Sequence, residues 1–175
     1  MASQKSLTSR PLDLTYFMYI ASHIPITIFF DCQVLYPTSW IPQPLLDLTA
    51  WYIQEFKDPL IANANNLPWF KSFIYCEGLI QLPFFFWSLH GLYYNKPITR
   101  VGLLAYGAHV ATTVIATLAE VGFGSPARLT MTAPERYALL GLYLPYLLIP
   151  ATMVVDSWFK LAPLVNSAGS KKKTN

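Results

Sequence analysis

Four stretches of the chain, at about 14–36, 70–94, 100–122 and 137–161, are nearly unbroken runs of apolar side chains. Each is close to the ~20 residues that an α-helix needs to cross a bilayer. None alternates apolar and polar positions with period 2, and all are too long for strands. They therefore read as helices, which satisfy their backbone donors and acceptors within one segment. The predicted fold class is all-α: a polytopic membrane protein built as a four-transmembrane-helix bundle. In the long connection 37–67, Leu45, Leu48, Tyr52 and Phe56 recur at helical spacing, with Asp47 and Glu55 off that stripe. This predicts a short amphipathic helix lying at the membrane interface. Asn63, Asn65 and Asn66 then mark an irregular connection. The chain divides into a polar stretch 1–13, a membrane domain 14–161 and a basic tail 162–175.

Composition supports the membrane reading. Charged residues make up 12% of the chain and hydrophobic ones 54%, with a mean hydropathy of +0.36, whereas soluble proteins carry about 25% charged residues. The net charge of +3 is small and its cations form no aromatic-interleaved stripe, which excludes nucleic acid as a partner. Cys32 and Cys76 lack the spacing of a zinc site or a disulfide scaffold and read as free thiols in apolar segments. The first apolar run is longer than a signal-peptide core and has no small-residue cleavage site, so it is expected to be retained.

Charge also orients the bundle. Lys5, Arg10, Lys96, Arg100, Lys160, Lys171, Lys172 and Lys173 fall on one side of the four runs; Lys57, Lys71, Arg128 and Arg136 fall on the other. The positive-inside rule puts both termini in the cytosol and the 37–67 connection in the lumen. Lys172 and Lys173 stand four and three positions from the end of the sequence. That pattern resembles the dilysine address of endoplasmic reticulum membrane proteins; a solvated polybasic tail drawn to anionic lipid is the alternative.

Ionisable groups in hydrocarbon cost several kcal/mol and usually face a bundle interior. Asp156 lies one turn before Lys160 and reads as half of a surface ion pair, and Glu120 sits at the lumenal rim. Asp31 and Glu77 are deeper, roughly 7 Å and 10 Å below the lumenal ends of their runs at ~1.5 Å per residue. The same count places Thr113, Tyr143 and Tyr146 in that layer. His23, Thr27 and Asp31 are spaced i, i+4, i+8; Glu77 and Gln81 i, i+4; Tyr106, His109 and Thr113 i, i+3, i+7. Each set makes one helical stripe. Taken singly, His23, Thr27 and Thr113 suit ordinary interhelical hydrogen bonds. Two carboxylates buried together cannot both ionise cheaply and are expected to share a proton. Such a pair suits a cationic amine on an apolar body or the hydroxyl of a sterol, with aromatics such as Phe70, Phe84 to Phe86, Trp87, Tyr143 and Tyr146 available to line a cavity. Pro25, Pro83, Pro145 and Pro150 lie inside the runs, where kinks leave room between helices.

The blocks Ser22-His23-Ile24-Pro25-Ile26-Thr27, Glu55-Phe56-Lys57-Asp58-Pro59-Leu60, Trp69-Phe70-Lys71-Ser72-Phe73, Cys76-Glu77, Gln81-Leu82-Pro83-Phe84-Phe85 and Pro145-Tyr146-Leu147-Leu148-Ile149-Pro150, with Asp31, together resemble the sigma-2 receptor (transmembrane protein 97) family. The resemblance covers about 14–160, and that family belongs to the superfamily of the emopamil-binding sterol isomerase. It implies a four-helix protein of the endoplasmic reticulum membrane, often a homodimer, that binds sterols, oxysterols or cationic amphiphilic molecules and acts in sterol homeostasis or trafficking, with a sterol-transport membrane protein as a further partner. No cofactor and no metal are implied. Asp31 would pair with a ligand amine, Glu77 would share its proton, Asp58 would be a supporting acid, and Gln81, Thr113, Tyr143 and Tyr146 would line the pocket, beside His23. The isomerase relatives place a histidine one turn before their glutamate; here Phe73 stands there. Binding is therefore expected rather than catalysis, with a Δ8-Δ7 sterol isomerase using Glu77 and Asp31 as the alternative.

Overall fold

Prolines set the starts of most of the helices. In the computed structural model, which describes residues 6–125 and 131–172 with the last four as backbone only, α1 (Pro11–Phe29), α2 (Gln43–Phe56), α3 (Pro59–Ala62), α4 (Pro68–Cys76) and α5 (Leu82–Tyr93) all carry proline in the first two positions. Except in α5, which continues directly from the turn before it, the missing N–H is one that no intrahelical carbonyl would accept, and the fixed φ suits the helix. α6 (Thr99–Phe123) and α7 (Ala133–Lys172) complete the chain. No strand occurs among the described residues, as expected for an all-α membrane protein. The side chains of Arg128 and of Lys171 to Lys173 lie outside the described residues.

Among the described residues, three helices are long and apolar enough to cross a membrane: Pro11–Leu35, Thr99–Phe123 and Ala133–Ala168. The second apolar run, expected as one regular helix over 70–94, is α4, a π-turn (Glu77–Gln81) and α5 in unbroken succession. Pro83 supplies the physical reason. It offers no N–H and its ring crowds the carbonyl four residues back, so the turn before it widens, and the Leu82 N–H reaches the Glu77 carbonyl five residues earlier. α1 likewise ends before its predicted limit: a 3-10 turn takes over at Asp31–Leu35. The predicted amphipathic helix is α2.

α6 packs along α7, and α1 packs along α5. Gly107 permits the first pairing, because a Cβ there would stand 2.5 Å from the Pro150 carbonyl oxygen. Apolar side chains fill the bundle in two clusters. Tyr16, Ile20, Phe85, Leu103 and Met153 occupy the end near Pro11, and Leu60, Phe70, Ile74, Val121 and Leu139 the end near α2.

The Pro11 end is closed by ions. Asp13, only 3% exposed, binds both Arg10 and Arg100. Arg100 continues to Asp156 at 2.9 Å, which also meets Lys160 at 2.9 Å. The expected Asp156–Lys160 pair is thus one edge of a larger network, and Asp13, which the polar pattern leaves in the N-terminal stretch, is its buried centre.

Candidate functional site

A cavity of about 620 Å³ opens between the two apolar clusters. α1, α2, α4, the π-turn, α6 and α7 all contribute walls, and apolar side chains dominate them. Polar groups converge at one place. Glu77, the first residue of the π-turn, accepts a 2.5 Å hydrogen bond from the Thr27 hydroxyl and lies 3.3 Å from His23 Nε2. Asp31 stands opposite: the donor atoms of His23, Asp31 and Glu77 all lie within 4.8 Å of one another. Among the described residues this is the group whose donor set and spacing would hold a metal cation; the same oxygens would serve an ammonium group.

Local chain geometry explains the convergence. His23 and Thr27 are successive turns of one face of α1, and the 3-10 turn after Phe29 keeps Asp31 on that side. The π-turn carries Glu77 toward α1. Gly78, next to it, lets the two segments close: a Cβ at that position would come within 3.1 Å of Cys32 Sγ. Thr27 is fully buried and His23 nearly so, and His23 Nδ1 has no hydrogen-bond partner.

The other residues expected at the site divide in two. Gln81, Thr113, Tyr143 and Tyr146 line the cavity with His23, Asp31 and Glu77. Thr113 spends its hydroxyl on the Val110 carbonyl of its own helix, at 3.0 Å. Asp58 is not part of the lining. It is fully buried and caps α3, with Oδ1 accepting from the N–H groups of Leu60 (2.9 Å) and Ile61 (3.2 Å). Its other oxygen accepts from the hydroxyls of Tyr52 at 2.9 Å and Tyr143 at 2.6 Å. Asp58 therefore ties the connection, α2 and α7 together behind the wall that Tyr52 and Tyr143 present to the cavity. Burial and the Asp58 charge hold the Tyr52 phenol above the ordinary tyrosine range, so it remains a donor.

α2 is the outer wall. Leu45, Leu48, Trp51 and Tyr52 face the cavity, and Gln33 fastens the helix by donating from Nε2 to the Leu45 and Phe29 carbonyls. Of the other aromatics, Phe70 lines the cavity. Phe84 and Phe85 pack on Tyr106, while Phe86 and Trp87 face outward, 57% and 45% exposed. His109 does not reach the cavity, because α6 presents Val110, Thr113, Val114 and Thr117 to it. Thr27 makes the interhelical hydrogen bond expected of it. Sequence reasoning did not single out Tyr19, Trp51 or Val110 as cavity residues; for the latter two, the i, i+3, i+4 spacing about Leu48 and about Thr113 was the available signal.

Comparison with known proteins gives a consistent picture. Residues 44–157 match the EXPERA (EXPanded EBP superfamily) domain. The chain is 42% identical over 159 residues to "Sigma intracellular receptor 2" of Xenopus tropicalis, covering 88% of this chain and 92% of that one. It is 35% identical over 156 residues to the protein of the same name from Homo sapiens, covering 85% and 88%. A more distant relative is the "Efficient mitochondria targeting-associated protein 19" of Schizosaccharomyces pombe, 27% identical over 164 residues, covering 91% and 81%.

Proposed function

The chain belongs to the EXPERA family, the expanded EBP superfamily, and from that premise we propose that it is a non-enzymatic membrane receptor for a sterol or cationic amphiphile. The observation that carries the reading is the cavity of about 620 Å³ whose polar groups gather at His23, Asp31 and Glu77. Cavities of roughly 300–1,000 Å³ enclose most of a drug-sized ligand, with a few polar groups fixing its orientation. An apolar ligand body would fill the space between α1, α6 and α7, and its amine or hydroxyl would meet the two carboxylates. Gln81, Thr113, Tyr143 and Tyr146 would shape the walls, and Asp58 would hold Tyr143 in place. The fourth span would be the α4–π–α5 rod, which at ~1.5 Å per residue is long enough to cover the hydrocarbon.

The remaining parts of the reading rest on charge and on the relatives. Both termini would lie in the cytosol, a reading supported by the distribution of lysine and arginine. The relatives' name, an intracellular receptor, supports the endoplasmic reticulum membrane over the cell surface. Participation in sterol homeostasis or trafficking, homodimerisation and engagement of a sterol-transport membrane protein are proposed with the same family as their support.

The test is saturable binding of a radiolabelled cationic amphiphile to the purified protein, with mass spectrometry of the lipid that co-purifies with it. Asp31→Asn and Glu77→Gln should each weaken amine binding by at least tenfold. Unchanged affinity in both variants would remove the carboxylates from the site. One observation favours a second reading, sterol Δ8-Δ7 isomerisation: His23 lies 3.3 Å from Glu77, just beyond the ~2.6–3.2 Å of direct proton transfer, a gap that catalytic pairs commonly close when substrate binds. Conversion of a Δ8-sterol by the purified protein, abolished in Glu77→Gln, would establish it; no product where an authentic isomerase works would reject it.

A further inference from the structure

A second cavity, of about 380 Å³, lies at the Pro11 end of the bundle, where α1, the α5–α6 turn, α6 and α7 meet. Its chemistry is opposite to that of the first. Arg10, Lys96, Arg100 and Lys160 line it, and the carboxylates packed among them are Asp13 and Asp156. Four cations thus face two anions in a partly enclosed space. We infer that this pocket is a binding site for the phosphate-bearing headgroup of an anionic phospholipid.

The cations play separate parts. Arg10 and Arg100 are frame members: both hold Asp13, Arg10 also donates to the Leu92 carbonyl at 2.8 Å, and Arg100 donates to Asp156. Lys96 and Lys160 are the arms. Among the described residues the Lys96 ammonium meets the His90 imidazole, at 2.8 Å, and the Lys160 side chain is 45% exposed beside Asp156, with Asp13 3.9 Å away. Each ammonium keeps donors for a phosphate oxygen. Thr99, 2% exposed and with its hydroxyl unpartnered, sits in the same wall. The positive end of the α6 dipole adds to the field.

A lipid is the occupant because the basic rim is continuous with an apolar flank. Leu161 and Leu164 of α7 line the pocket. Leu164 and Val165 remain 58% and 68% exposed, which offers a track for an acyl chain leading away from the headgroup. Basic pockets between membrane helices take anionic headgroups in this way. The site lies at the opposite end of the helices from His23, Asp31 and Glu77, and it stands whatever ligand the large cavity holds.

The experiment is native mass spectrometry of the full chain in detergent, titrated with dioctanoyl phosphatidylinositol monophosphate, with dioctanoyl phosphatidylcholine and with inorganic phosphate. The anionic lipid should bind saturably and in preference to both others. Lys96→Gln with Lys160→Gln should weaken it roughly 30-fold, while Lys57→Gln with Lys71→Gln at the other end should leave it unchanged. Thermal unfolding in the same detergent reports that the variant is folded. Should the double variant unfold, Lys96→Gln alone, on an exposed side chain, should still weaken the lipid about fivefold. Undiminished lipid binding in the lysine variants, equal binding of phosphatidylcholine, or inorganic phosphate binding as tightly as the lipid would each overturn the assignment.

Discussion

Removing the Asp58 carboxylate should loosen the cavity wall from behind, since Asp58 is not itself a lining residue. In Asp58→Ala, the N–H groups of Leu60 and Ile61 lose their cap and the hydroxyls of Tyr52 and Tyr143 lose their acceptor, which is itself fully buried. A lost N-cap costs about 1 kcal/mol, and each hydroxyl bond to a charged acceptor about 1.5–3 kcal/mol. The loss is then on the order of 4–7 kcal/mol, or a fall in Tm of about 8–28 °C at this chain length. Tyr52→Phe and Tyr143→Phe each remove one of the four bonds and should cost about 1.5–3 kcal/mol. Because both act through one carboxylate, their effects in Asp58→Ala should largely vanish. The assay is thermal unfolding in detergent for the three single variants and the two double variants with Asp58→Ala. A Tm for Asp58→Ala no lower than that of Tyr143→Phe, or tyrosine effects that persist in full without Asp58, would refute the shared anchor.

Three further outcomes follow from the packing and the charges. Arg100→Gln should destabilise the fold by about 3–5 kcal/mol by leaving Asp13 buried with reduced compensation; adding Asp13→Asn should recover part of that loss, and unfolding of the single and double variants measures both. Gly107→Val should lower stability by about 1–3 kcal/mol or more, since the clash is with the Pro150 backbone oxygen rather than a movable side chain; Gly141→Ala, with nothing within 4 Å, is the control in the same melt. At the start of α7, Thr132 and Glu135 form a capping box, with the Glu135 carboxylate accepting from the Thr132 N–H and hydroxyl at 2.8 Å. These bonds lower its pKa below the ordinary 4.5, so the stabilisation is present above pH 4.5 and is lost as pH falls through the lowered value. Protection of the amides at 133–136, relative to their intrinsic exchange, should fall in that acid range, and Glu135→Gln should remove that fall.

What was legible in the sequence follows from the rigidity of the helical period. His23, Thr27 and Asp31 were predicted to share a face, and the 3-10 turn at Asp31 did not spoil this, because it comes after the last full turn of α1. The amphipathic stripe of α2 was equally readable, since Leu45, Leu48 and Tyr52 needed only a helix to align them. The stripe on α6 was misjudged in part: Tyr106, His109 and Thr113 are spaced to share a face, yet the face used is centred on Val110 and Thr113. The phase of α6 is set by Gly107 meeting α7, a tertiary contact that no local pattern encodes.

The residues that the pattern misplaced are those whose role depends on a partner far away in sequence. Asp13 looks like part of a polar leader because its neighbours are polar; only the approach of Arg100, from the start of α6, makes it a buried ion. Thr27 reads as a donor in an interhelical hydrogen bond, and it makes one; what the pattern leaves out is the acceptor, Glu77, which the π-turn delivers. That turn is itself a consequence of Pro83, six residues beyond Glu77, which was readable as a kink but not as a device that rotates a carboxylate into the bundle. The same proline that opens the helix therefore aims the acid. It couples the shape of the cavity to the position of its polar anchor, so neither was deducible from the composition of the span alone.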